Sequence, residues 1–295
     1  MFVKYPDSPK YPKNYIKEQT QGLALNTVKN YFKEASQGKV KIKFVVHNKF
    51  ISLPENSYVY EMWNMQGNPN WRELEQRFHR DVIASADPSV DFSKSNGTLI
   101  VSDPNLTGGP RIAFRDPVSA DGRNLYSVFY DGADPNQMIH EILHTFGLQD
   151  LYNRESGFNG PDQKVNQFSI MSQYFGGTNA LGFEKYQLNW ITDKEVICHT
   201  GGILKVKLSS LDSKGGKKLV LIPVGTNELV GVEYRKAEKV DKYLGTSGVL
   251  IYNIKSDRWP NFIEVQNGVN VVKKGTKNYY GIEFKVNKDA VTITK

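Results

Sequence analysis

The sequence predicts an α+β fold, with its helices in the first two-thirds of the chain and a run of strands at the end. Three observations carry that expectation. Three segments before residue 150 place apolar side chains at helical spacing; short segments after Asp193 are apolar and rich in branched residues; and turn residues separate them throughout. The chain has 295 residues, 39% of them hydrophobic, enough for one large domain or a medium domain plus a small one.

The first helix is expected over 14–36, where Leu23, Leu25, Val28, Tyr31 and Phe32 form a stripe and Gly38 provides a stop. Residues 39–47 alternate Lys39, Lys41 and Lys43 with Val40, Ile42 and Phe44, the pattern of a half-buried strand. Asn68-Pro69-Asn70-Trp71 has the capping Asn and early Pro of a second helix, running to about Ala86. Strands are expected at 98–102, 111–115 and 125–130, and a third helix at 135–146. Residues 151–180 have no clear periodicity, and a short helix is expected at about 181–190. From Asp193 the character turns all-β, with strands expected at 203–208, 218–223, 229–234, 248–254 and 280–286. The expected organisation is therefore a mixed domain over 1–192 and a β-rich region over 193–295, packed on or extending it.

Composition narrows the function classes. No run approaches the roughly 20 apolar residues of a membrane span, and the polar, Pro-rich opening does not read as a signal peptide. The lone Cys198 rules out a disulfide within the chain. The net charge of +7 comes without a basic cluster interleaved with stacking aromatics, so no nucleic-acid partner is expected.

The chemistry concentrates in residues 134–150. Asp134 can cap a helix and Pro135 fits its first turn, while Gly147 can end it in the left-handed conformation. His140 and His144 lie four apart, so both imidazoles leave one helical face, as two nitrogen ligands of a Zn²⁺ require. Glu141, at the edge of that face, is placed to take a proton from a water molecule. After the Gly147 turn, Asp150 comes six residues beyond His144 and supplies a carboxylate as third ligand. Glu184, on the later short helix, is a rival third ligand; spacing favours Asp150. His47, His79 and His199 are isolated in sequence, and His79 is expected to be solvated. Asp103, Asp131 and Asp134 lie near turns without the spacing of a calcium-binding loop.

The pattern HExxHxxGxxD resembles that of metzincin-type zincins, with Asp150 where those more often have a third His. Residues 169–172 (SIMS) resemble their Met-turn, in which Met171 would form an apolar floor. Tyr174 lies three residues after Met171 rather than two, which leaves an oxyanion role for it open. More narrowly, residues 140–152 (HEILHTFGLQDLY), 169–172 and 181–191 (LGFEKYQLNWI) resemble the immune inhibitor A-type family of secreted bacterial metallopeptidases. Weaker echoes are Tyr5-Pro6-Asp7, 31–38 (YFKEASQG), 229–235 and 248–252 (GVLIY). The resemblance implies a zincin-like catalytic domain, one catalytic zinc ion, structural calcium as is frequent in that family, a protein or peptide substrate and a secreted location. A monomer is the expected state, and no segment reads as the pro-segment with which the family is often made. The alternative from another class is an inactive or accessory metal-binding protein whose β-rich half recognises a surface ligand; the presence of Glu141 argues against it.

Overall fold

A computed structural model describes residues 1–61, 68–107, 112–114, 116–130, 134–152, 164–176, 178–256 and 264–295. The chain is α+β and divides into two units, residues 1–28 with 43–146, and residues 29–42 with 147–295. The boundary expected near 192 falls inside the second unit.

The first unit contains strands β1 (Phe2–Lys4), β2 (Phe50–Ser52), β3 (Gly97–Ile100), β4 (Ile112–Ala113), β5 (Val118–Ala120) and β6 (Arg123–Phe129). Its helices are α1 (Tyr15–Gly22), the start of α2 (Leu25–Ala35), α3 (Ser57–Tyr60), α4 (Trp71–Ala86), α5 (Pro104–Thr107) and α6 (Pro135–Thr145). β3 pairs parallel with β6, and β4 and β5 each pair antiparallel with β6. β1 pairs parallel with β2, and a parallel bridge from Phe2 to Val101 carries the ladder on to the end of β3. Mixed pairing of this kind has one parallel core and an antiparallel flank. The side chains of Val3, Ile51, Phe78, Val82, Ile100, Leu125 and Phe129 form one buried cluster on this sheet.

Two expectations change here. The helix expected over 14–36 is two helices, because Ala24 takes a left-handed φ of 47° between α1 and α2. The stripe that suggested continuity is nonetheless buried at Leu23, Val28, Tyr31 and Phe32. Residues 39–47 form no strand. Their exposure does alternate, with Lys41, Lys43 and Val45 exposed and Ile42, Phe44 and Val46 half-buried. Alternation reports an extended backbone facing two environments, whereas a strand also needs a ladder partner; the ladder begins only at Phe50.

His79, expected to be solvated, is 1% exposed on α4. The buried residues Glu75, Phe78, His79, Val82, Ile83 and Ala86 recur at helical spacing, so His79 belongs to the packed stripe. Its Nε2 lies 2.6 Å from Ser127 Oγ on β6, which lies 2.6 Å from Thr98 Oγ1 on β3. Burial holds the imidazole pKa down at about 4, Arg80 adds to that effect, and a backbone hydrogen bond at Asp116 opposes it. Above the ordinary value of 6.5 the ring is neutral in both folded and unfolded chains. Below it the unfolded chain takes up a proton that the folded chain refuses, so stability falls with pH until about pH 4, by about 3 kcal/mol in all. Urea midpoints measured between pH 7.5 and pH 4 should therefore fall in the native chain and fall less steeply in His79→Gln. Parallel profiles would remove His79 as the cause.

Among its described residues the second unit carries the remainder of α2, the helix α7 (Gly182–Gln187) and nine strands. They are β7 (Val196–Cys198), β8 (Ile203–Lys207), β9 (Leu219–Gly225), β10 (Glu228–Arg235), β11 (Gly248–Lys255), β12 (Glu264–Val272), β13 (Lys274–Tyr279), β14 (Ile282–Asn287) and β15 (Ala290–Thr294). One sheet has the order β12-β11-β10-β9-β7 and the other β13-β14-β15-β8. Val220, Ile222, Val230, Val232, Val249 and Ile251 of the first join Ile282, Phe284, Val286, Val291 and Ile293 of the second in a single buried cluster. The two sheets thus share a core of alternating inward residues. The five-stranded sheet is buried on its other face too: β11 is buried from Gly248 through Ile254, the reason its sequence reads as a continuous apolar run rather than an alternating one.

Candidate metal centre

α6 forms where its sequence provides both ends. Asp134 is the N-cap, its carboxylate accepting from Asn136 N at 2.9 Å, and Pro135 occupies the first turn. Tyr130 Oη donates to the Asp134 carbonyl at 2.5 Å and ties the cap to the end of β6. At the other end Gly147 takes φ +98°, the conformation that only glycine adopts without strain. Met138, Ile139 and Leu143 are fully buried.

One turn apart on that helix, His140 Nε2 and His144 Nε2 face each other at 3.1 Å, with ring planes at 87°. After the Gly147 reversal Asp150 joins them: one ligand atom from each of His140, His144 and Asp150 lies within 4.8 Å of the other two. No other group of three such residues is found among the described residues. The donor set fits zinc. Two imidazoles and a carboxylate are a catalytic-type set, and Zn–N bonds of about 2.05 Å at a tetrahedral angle put the nitrogens roughly 3.3 Å apart. Glu141 is 7% exposed, in the position next to His140.

The segment after α6 is anchored by hydrogen bonds within the second unit. Leu151 N donates to the carbonyl of Met171 at 2.8 Å, which fixes the residue next to Asp150. Met171 is fully buried, and its own N–H donates to Ser169 Oγ at 3.1 Å. Ser169 Oγ in turn donates to Glu184 Oε2 at 2.7 Å. Glu184 Oε2 also accepts from Leu181 N at 2.7 Å, so its side chain reaches back to satisfy the N–H that opens α7. Glu184 therefore stands outside the His–His–Asp group and at the far end of a chain of contacts that runs through Ser169 and Met171 to Leu151. It is 1% exposed, and burial pushes its pKa up to about 7, with Glu233 adding and Ser169 and Leu181 opposing. Its Oε1 has no hydrogen-bond partner among the described residues, as suits a carboxyl that burial disfavours as an anion.

Sequence reasoning missed what lies behind that chain. Arg235, 1% exposed on β10, holds Asp241 through Nε at 2.7 Å and through a second bond from its guanidinium. It also donates to the Phe168 carbonyl at 2.8 Å and lies 3.3 Å from Glu233. Asp241 accepts from Asn179 N at 3.0 Å, while Glu233 accepts from Gly182 N at 2.6 Å and from Tyr252 Oη at 2.5 Å. The two ends of the Met171 loop are thus held by charges from the β-rich half. A Cβ at Gly182 would meet Glu233 Oε2 at 2.5 Å, so glycine permits this close approach. Glu233 and Arg235 alternate with Val232 and Tyr234, and alternation normally assigns such charges to solvent. The available signal was Gly231, two residues before Glu233 on the same face, where a side chain would strike the Tyr252 ring.

The other candidates separate from the site. Asp103 accepts from Asn105 N at 2.9 Å and from Tyr11 Oη at 3.0 Å, a turn residue. Asp131 lies outside the described residues. Tyr174 opens a short 3₁₀ turn over Tyr174–Gly176 and Cys198 is exposed. His199, 8% exposed, has backbone N–H bonded to Leu221. Among the described residues no helix is long and apolar enough to cross a membrane. Comparison with known protein families and with characterised proteins finds no match for this chain.

Proposed function

We propose that the chain is a zinc-dependent endopeptidase with a zincin-like catalytic domain, of the secreted immune inhibitor A type that its motifs resemble. The observation that supports this most is the convergence of His140, His144 and Asp150, with Glu141 beside them on α6. In this reading those three residues hold the zinc ion. When bound, zinc acts as a Lewis acid that lowers the pKa of water and polarises a peptide carbonyl.

The chain's own residues do the rest. Glu141 takes a proton from the attacking water and passes it to the departing amine, which would otherwise leave as an unstable anion. The hydrogen bonds from Leu151 through Met171 to Ser169 keep the backbone beside Asp150 in place. Structural calcium, which the resemblance implies, is a further part of this reading.

Metal analysis tests the site directly. The purified chain should hold about one zinc ion per molecule, and X-ray absorption should report nitrogen and oxygen donors without sulfur. A sulfur ligand, or a chain that stays metal-free when zinc is supplied in excess, would overturn it.

A further inference from the structure

The chain's positive charge is not spread evenly. Residues 203–207 and 273–295 contain eight lysines and two acids, so they carry six of the seven excess charges in the whole sequence. These are the residues of the sheet β13-β14-β15-β8 and its turns. One face of that sheet is committed to the core through Val206, Phe284, Val286, Val291 and Ile293. By alternation, Lys205 and Lys207 of β8, Ala290 and Thr292 of β15, and Lys285 and Asn287 of β14 point the other way.

Register aligns these residues across the sheet. Lys205 is opposite Thr292, which is opposite Lys285; Lys207 is opposite Ala290, which is opposite Asn287. Small side chains in the middle strand between long ones on either side leave a trough of about 460 Å³, running along β15. Its walls are two strand spacings apart, roughly 9.5 Å, the width of one extended polymer chain. The side chains of Lys207 and Lys285 are 78% and 61% exposed. Their contacts with Asp289 at 3.8 Å and Glu283 at 3.0 Å are solvent-exposed pairs of the kind that contribute little.

We propose that this trough is a binding site for a single chain of an anionic polysaccharide, one carrying sulfate or phosphate groups. Lysines on both walls meet the charges, and the Thr292 hydroxyl on the floor and the Asn287 amide on the β14 wall can hydrogen-bond sugar hydroxyls. The trough is shallow and open, with lysines on either side of the β15 floor rather than spread over a plane. No outward position on β8, β14 or β15 is aromatic, so the stacking platforms that hold single-stranded nucleic acid are absent from these strands. The proposal does not rest on the peptidase reading.

The probe is heparin oligosaccharide, titrated into the full chain at about 50 and 200 mM salt. Affinity should fall steeply with salt, and the triple variant Lys205→Ala, Lys207→Ala, Lys285→Ala should reduce the log–log slope by about 2–3, the share of three charge contacts. Ala290→Glu, which fills the floor with a negative charge and leaves every lysine in place, should also abolish tight binding. A control triple at Lys10, Lys13 and Lys17 should bind as the native chain does. The site is wrong if the native chain fails to bind at the lower salt. It is equally wrong if the control weakens as much as the trough variants, or if the trough variants, folded by thermal melting, bind unchanged. A tighter complex with single-stranded DNA than with heparin at equal salt would overturn the ligand class.

Discussion

Glu141→Gln should leave zinc bound and the melting temperature unchanged while peptide hydrolysis falls by about 10²–10⁴-fold, the loss expected for a general base. The substitution keeps the side chain's shape and its ability to accept a hydrogen bond, and removes only its basicity. Glu141 is 7% exposed on a helix whose neighbours Ile139, His140 and Leu143 are buried, so changes of size there would disturb packing and an isosteric change isolates the proton. Three readings on one sample separate the roles. A base lowers turnover alone. A structural carboxyl lowers zinc content and melting temperature together. A residue with neither role leaves all three unchanged, and unchanged turnover with zinc in place would remove Glu141 from the mechanism. A native chain that hydrolyses no substrate, with zinc and calcium supplied, would move the reading to an accessory metal-binding protein.

The parts of the molecule that were legible in advance are those where one local rule decides. The cap at Asp134, the proline in the first turn and the left-handed Gly147 bound α6 within one residue of the expected 135–146, because each end is set by its own side chain or φ angle. The spacing of His140, His144 and Asp150 was likewise readable, since helix geometry and one glycine turn fix it over eleven consecutive residues. What was not legible depends on partners far away in sequence. The strand expected at 39–47 had the right alternation and no ladder. The solvated His79 was in fact in the buried stripe of α4, bonded to a residue 48 positions away. β1 and β2, three residues each, are too short to carry a period and exist through pairing with each other and with Val101. The Arg235–Asp241–Glu233 group escaped notice for the same reason, because a charge in an alternating strand is assigned to water until the covering layer is known.

Asp150→Ala and Glu184→Ala should fail in different ways, and Glu184→Gln should hardly fail at all. Asp150 contributes one of three converging ligand atoms, so its loss should lower zinc affinity by several orders of magnitude and abolish hydrolysis, while the β-rich core stays folded. Glu184 sits at the other end of the contacts that run through Ser169, Met171 and Leu151. Truncating it strands the buried N–H of Leu181 and the hydroxyl of Ser169 and opens a cavity at the base of α7, costing about 2–4 kcal/mol. Zinc affinity should then fall by roughly 10–100-fold, the usual effect of a group that orients a ligand without touching the metal. Glu184→Gln can still accept from both Leu181 N and Ser169 Oγ through its amide oxygen. It also removes a charge that burial already disfavours, so its stability and zinc affinity should stay close to native. A metal-ligating carboxylate would not tolerate that exchange. If Glu184→Gln loses zinc as completely as Asp150→Ala does, or if Asp150→Ala retains it, the third ligand comes from the later helix and the assignment of Asp150 is wrong.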